Sequence, residues 1–157
     1  MSITFARSKL EDAEYIGRRL RAADLMEVMA LGHQGLDAVI YSFYDSDECY
    51  TAFADGKPCM VFGMTDPTLG DMACAWALGT EECSRYPVAM VRYGRMFLRR
   101  FLERRPVLVN WCDARYAKAL KWLRAIGFKV YDPAPLGERD ELFCKIEARK
   151  GGLSCAK

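Results

Sequence analysis

The chain reads as an α+β protein in three layers, with a mixed and mainly antiparallel central sheet and helices on both faces. Three observations predict this. Leu10, Ala13, Ile16, Leu20, Leu25, Val28 and Met29 recur at helical spacing near the start. Two apolar runs flank Asp55-Gly56-Lys57 in the middle, a strong hairpin signal. Val107 to Tyr131 then reads as strand, amphipathic helix and strand, with Gly127 as the helix stop.

Taken in order, residues 2–7 alternate as a first strand, and 9–31 form one helix or two, with Gly17 and the segment 21–24 admitting a break. Ser8 with Glu11 suits a capping box. Residues 34–44 are a further helix. Strands follow at 49–54, 58–64 and 72–79, a three-stranded meander with a turn at 65–71. A polar connection at 80–86 leads to Pro87, which suits a first helical turn. That helix buries Val91, Gly94, Leu98, Phe101 and Leu102, turns Arg92, Arg95, Arg99 and Glu103 outward, and ends before Pro106. Residues 107–112 are a strand, Asp113 caps a helix over 114–126, and 128–131 form a short strand. A long turn over 132–140 precedes the last strand, 141–147. The domain is expected to span 1–147, with 148–157 a flexible basic tail.

The chain has 157 residues, 52% of them apolar and 28% charged, which suits one globular domain with its own core. Its formal net charge is +2, and removing Arg149, Lys150 and Lys157 leaves 20 basic against 21 acidic residues. A near-neutral body gives little support for nucleic-acid or anionic-membrane binding. No run is apolar enough to span a membrane, and the opening MSITFARSKLED has no secretory pattern, so an intracellular, cytoplasmic protein is expected. Seven cysteines at wide, irregular gaps and a single histidine, His33, argue against a disulfide scaffold and a mononuclear zinc site, so no metal is expected.

The segment KALKWLRAIGFK, Lys118 to Lys129, together with the order of elements, resembles the GNAT (GCN5-related N-acetyltransferase) superfamily. The matching residues are Ala119, Ile126, Gly127 and Phe128, and they speak for fold more than chemistry. Through Trp122, Leu123, Ile126 and Gly127 the chain is also loosely similar to acetyltransferase-like internal virion proteins of T7-like tailed bacteriophages. The superfamily resemblance implies acetyl-CoA held between the fourth and fifth strands, its pyrophosphate at the amides that open the next helix. Three departures accompany it. The segment Thr80 to Val88 lacks the glycine fingerprint and carries Glu81 and Glu82; Leu123 stands where a tyrosine acid is frequent; Tyr116 stands where an asparagine contacts the cofactor.

Carried onto this sequence, the resemblance makes Leu78, Gly79, Thr80, Ser84, Arg85, Asn110 and Tyr116 the cofactor-binding candidates. Glu81 or Glu82 would take the amine proton, with Tyr116 as a further catalytic candidate. Asp45, Asp47 and Glu48, read as an acidic cluster before the second strand, would receive a cationic amine beside Trp111. Asn110 interrupts an apolar strand and needs hydrogen-bond partners if buried. His33 reads as structural or solvent-facing, and Cys112 as buried filler. Arg92, Arg95, Arg99, Arg100, Arg104 and Arg105 form a local basic face.

Two functions stay open. One is an acyl-CoA-dependent N-acyltransferase acting on an unidentified amine. The other is a non-catalytic bacteriophage protein of the same fold, acting as an internal virion component or a host-protein-binding factor. The second gives it a protein partner, for which the arginine helix and the aromatics Tyr41, Phe43 and Tyr44 are the candidate surfaces, and a place in the host cytoplasm or the virion. A homo-oligomer is compatible with either.

Overall fold

The computed structural model describes residues 2–65 and 72–152. Seven strands, β1 (Ile3–Arg7), β2 (Ser46–Ala54), β3 (Lys57–Thr65), β4 (Met72–Gly79), β5 (Val107–Asp113), β6 (Lys129–Leu136) and β7 (Glu141–Arg149), lie in the order β1-β2-β3-β4-β5-β7-β6. Five helices, α1 (Leu10–Gly17), α2 (Ala22–Ala30), α3 (Gly35–Asp45), α4 (Pro87–Arg104) and α5 (Ala117–Ile126), and a 3₁₀ segment, Glu81–Arg85, connect them. The sheet is mixed and mainly antiparallel with helices on both faces, as the sequence predicts. The chain forms two compact units and passes between them within β4 and at Pro87.

In the first unit, β1 and β3 pair antiparallel with β2. Asp55 and Gly56 turn the β2–β3 hairpin with φ of 47° and 82°, the two positive values that a type I′ turn requires. Cys59 lies beside Gly79 and Thr80, and Gly63 beside Trp76, so β3 and β4 run antiparallel. Helices α1 to α3 bury Ala13, Ile16, Val28, Ala38 and Val39 with Cys49, Val61 and Leu78 of the sheet. Two glycines let the helices close up. A Cβ on Gly17 would stand 2.9 Å from the Leu36 side chain, and one on Gly35 2.8 Å from that of Leu25.

Over 9–31 the two-helix alternative holds, since the chain turns at 18–21. Two readings in this unit change. The cap of α1 is Lys9, whose amide donates to Asp12 Oδ2 at 3.0 Å. Ser8 instead shares a hydrogen bond with the Thr51 hydroxyl, 2.9 Å away. Strand β2 begins at Ser46, so Asp47 and Glu48 are strand residues, and the register slips between Ser46 and Glu48. The expected turn at 65–71 lies, after Thr65, outside the described residues.

In the second unit, the start of β4 pairs in parallel with β5, Met72 to Cys74 against Val107 to Val109, and β7 runs antiparallel to both β5 and β6. Helix α4 starts at Pro87 and ends at Arg104, as expected. Its buried residues include Phe97 beside the expected Leu98, Phe101 and Leu102. Gly94 lets α5 approach: a Cβ there would meet Ile126 at 2.8 Å and Trp122 at 3.3 Å. Arg95, expected to face away, donates through Nε to the Ala125 carbonyl at 2.9 Å. Helix α5 ends in a Schellman motif, with Phe128 N–H on the Leu123 carbonyl (3.0 Å), Gly127 N–H on that of Arg124 (3.2 Å), and φ of 127° at Gly127.

Three boundaries move here. Asp113 closes the end of β5, and Tyr116 is the N-cap of α5. Residues 132–136, read as turn, continue β6. Pro133 and Pro135 are tolerated because β6 is the edge strand of the sheet. Strand β7 runs on to Arg149, with Ala148 paired to Leu108 and buried, so the chain stays in the sheet past 147.

The tightest backbone approach in the hairpin is at Gly63, where a Cβ would lie 2.6 Å from the Glu48 carbonyl oxygen. Gly63→Ala is expected to cost about 1–3 kcal/mol in a urea unfolding titration, because backbone, unlike a side-chain tip, cannot step aside. An unchanged midpoint would contradict this register of β2 against β3.

Candidate functional site: the end of strand β4

Strand β4 ends at Gly79, where the resemblance places cofactor contact. Along a strand, the N–H and C=O of one residue point to the same side, and the next residue points to the other. Thr80 N–H donates to the Cys59 carbonyl of β3 at 2.9 Å, so the main-chain groups of Gly79 face away from β3. Both are taken. Gly79 N–H donates to Asp24 Oδ2 at 2.8 Å, and the Arg21 amide donates to the Gly79 carbonyl at 3.0 Å. The same Asp24 oxygen accepts from Arg21 Nε at 2.9 Å. The start of α2 thus caps the end of β4 with one acceptor and one donor, completing its hydrogen bonding from within the chain.

This junction is buried. The Asp24 side chain is only 5% exposed and that of Arg21 15%. Burial pushes the Asp24 carboxyl up from its ordinary value, while the Arg21 charge and the Gly79 amide pull the other way. Arg21 also donates to Cys83 Sγ at 3.1 Å, and that thiol donates to the Thr80 carbonyl at 2.9 Å. Burial raises the Cys83 thiol despite Arg21, and pushes Cys59 up to about 12. Protonated and enclosed, neither thiol is a nucleophile at neutral pH.

The remaining candidates of this unit take other places. Leu78 belongs to the helix-facing core. The Thr80 hydroxyl points to the Cys59 carbonyl, 3.4 Å away. Ser84 and Glu81 are exposed. Arg85 pairs with Glu82 at 3.1 Å, its side chain 74% in solvent. Pro87, the first residue of α4, offers no N–H. Of the expected acidic cluster, Asp45 and Asp47 are exposed, but Glu48 is buried and accepts the Tyr50 hydroxyl. The register slip at the start of β2 turns it inward.

In the second unit, Asn110 finds its partner in the next residue: its side-chain oxygen accepts the Trp111 amide at 2.8 Å. Trp111 is exposed, and Tyr116 is half-buried, with its carbonyl accepting from Leu120 N–H. Leu123 is a core residue, with no proton to give. Asp113 accepts the Arg115 amide at 2.9 Å and its guanidinium at 3.0 and 2.7 Å, and these bonds hold the Asp113 carboxyl below the usual range. Among the described residues, no group of three His, Cys, Asp or Glu is placed to hold a metal ion, and no helix is long and apolar enough to cross a membrane. His33 is exposed and Cys112 buried.

At Gly79 itself, both main-chain groups are bonded within the chain and none is left over for a cofactor. A pyrophosphate needs unspent N–H donors and positive charge. Here the Gly79 amide is spent, Glu81 and Glu82 follow Thr80, and Arg85 is engaged by Glu82. Sequence reading missed Arg21 and Asp24. Their signal was an Arg-x-x-Asp pair at a suspected break between helices.

Asp24→Ala removes a carboxylate and leaves a guanidinium and an amide without it. A loss of about 3 kcal/mol or more is expected by urea unfolding, and a loss below 1 kcal/mol would show that the capping bonds are not needed. The depressed Asp113 carboxyl stabilises the fold above about pH 4, and that contribution disappears as pH falls through the lowered folded value. Arg115→Ala is expected to narrow this acid-induced loss in melting curves taken between neutral and acid pH. An identical acid profile would contradict the pairing.

No family model matches the chain, and no curated protein matches it. Solved structures do match. AAC(6')-Ib in complex with ribostamycin and coenzyme A aligns over 100% of this chain and 98% of its own, at 10% identity and a TM-score of 0.71. The yncA protein of Salmonella typhimurium, with its cofactor acetyl-CoA, aligns over 95% and 94% at 12% identity and 0.69. A spermidine N-acetyltransferase SpeG chimera from Vibrio cholerae and hSSAT aligns over 96% and 97% at 10% identity and 0.68. The chain therefore has a GNAT-like fold.

Proposed function

We propose that this protein uses the GNAT fold as a binding module and performs no acetyl transfer at the end of β4. One observation carries the reading: both main-chain groups of Gly79 are bonded to Arg21 and Asp24 of the same chain. An acyl donor seated there would have to displace a buried ion pair, which costs several kcal/mol before any contact is gained. The positions that the fold would use for chemistry agree. Leu123 cannot protonate a leaving thiolate, and Glu81 and Glu82 oppose a phosphate.

The second reading is an acyl-CoA-dependent N-acyltransferase for an amine. It is favoured by whole-length likeness to structures that hold coenzyme A and acetyl-CoA. Glu81, exposed at the end of β4, would be its base.

Calorimetric titration separates the two. Acetyl-CoA at millimolar concentration is expected to give no binding heat with the native chain. Saturable binding that Arg85→Ala abolishes, or acetylation of any amine in a transfer assay, would overturn the binding-module reading.

A further inference from the structure

Helix α3 turns an unusual stripe to solvent. Asp37, Tyr41, Tyr44 and Asp45 follow one another at spacings that share a helix face, and all four are exposed. Tyr41 is 69% exposed and Tyr44 67%. On α2, which packs against α3 where Gly35 meets Leu25, the outward residues are Leu25, Met26 and Met29, the two methionines 50% and 57% exposed. A single exposed apolar residue is ordinary, but tyrosines and methionines gathered on two adjacent helices are a binding feature.

Along the chain through these helices the charge has one sign, while Arg18 and Arg19 stand exposed just after Gly17, which meets Leu36 at the start of α3. From Ala22 to Gly56 the chain contains no lysine or arginine, while it carries seven carboxylates, Asp24, Glu27, Asp37, Asp45, Asp47, Glu48 and Asp55. Asp24 and Glu48 are buried, so Asp37 and Asp45 bracket the two tyrosines as exposed charges. Exposed phenol rings attract cations through their faces, and carboxylates one turn away add Coulomb attraction.

We propose that the outward face of α2 and α3 docks a cationic polypeptide segment in which arginine or lysine alternates with apolar side chains. This rests on the binding-module reading and gives it a surface and a partner chemistry. A polypeptide fits better than a small amine. The stripe from Asp37 to Asp45 extends roughly 12 Å along the helix at 1.5 Å per residue. It is convex, so a small amine would be covered on one side only and keep most of its water. A segment lying along it spans both acid–tyrosine pairs.

The test is fluorescence anisotropy of a fluorescein-labelled peptide of alternating arginine and leucine, with the full chain at low ionic strength. Binding is expected, and a glutamate–leucine peptide of the same length should not bind. Tyr41→Ala with Tyr44→Ala, and separately Asp37→Asn with Asp45→Asn, should each weaken binding about tenfold, the equivalent of two exposed cation–π contacts. All four side chains are exposed, so the fold should survive. Asp132→Asn with Glu138→Gln, exposed acids elsewhere, should change nothing. The proposal is overturned if the basic peptide does not bind, if both α3 variants bind like the native chain, or if spermidine at matched charge displaces the peptide, which would make the face a small-amine site. Acetyl-CoA calorimetry on the same preparation keeps the two readings apart. Peptide binding together with acetyl-CoA binding retains the docking face and removes the binding-module reading; acetyl-CoA binding alone removes both.

Discussion

A carboxylate taken out of water must be met by donors, and in this protein that demand ties helix to sheet. Asp24 is met by the Arg21 guanidinium and by the last amide of β4. The bonds fix where α2 begins and why the chain turns between α1 and α2, since the Arg21 amide is committed to the Gly79 carbonyl. They also finish β4: its last residue is completed by Arg21, the cap of α2, and Asp24 in its first turn, and Thr80 returns to β3. Asp12 of α1, which accepts from the Thr51 hydroxyl of β2 at 3.1 Å, ties the helical layer to the sheet in the same way.

Fold and chemistry part company in such an arrangement because they depend on different atoms. The fold needs close approach and correct stops. Gly94 supplies the first against α5 and Gly127 the second, and the fold persists at an identity to related structures of only 10–12%. Chemistry at the end of β4 needs unspent donors and a proton to give. Those requirements fall on few atoms, and in this chain the main-chain groups of Gly79 hold helix and strand together.

Much of the fold was legible because local rules and tertiary packing agree. Strand β4 has the limits its apolar run implied, Pro87 opens α4, and Asp55-Gly56 forms the two-residue turn. Errors arose where a neighbouring side chain or a shifted strand register overrode the simple reading. Asp113 looks like a helix cap but is claimed by Arg115. Glu48 looks solvated but enters a strand whose register slips, and turns inward to Tyr50. The candidate site was less legible. Gly79 and Thr80 were found as positions, but what occupies them comes from a residue more than fifty places earlier, Asp24, and no spacing rule reaches that far.

The prolines of β6 have a consequence for how this chain meets its own copies. Pro133 and Pro135 stand at alternate positions of the sheet's last strand and keep their register with Cys144 and Leu142 of β7. Both nitrogens therefore lie on the outer side, away from β7. A strand arriving there would find carbonyl oxygens and no matching hydrogens, so it could form only half a ladder. The border is blunted against sheet-to-sheet growth, a safeguard for a chain with so apolar a composition wherever it becomes crowded.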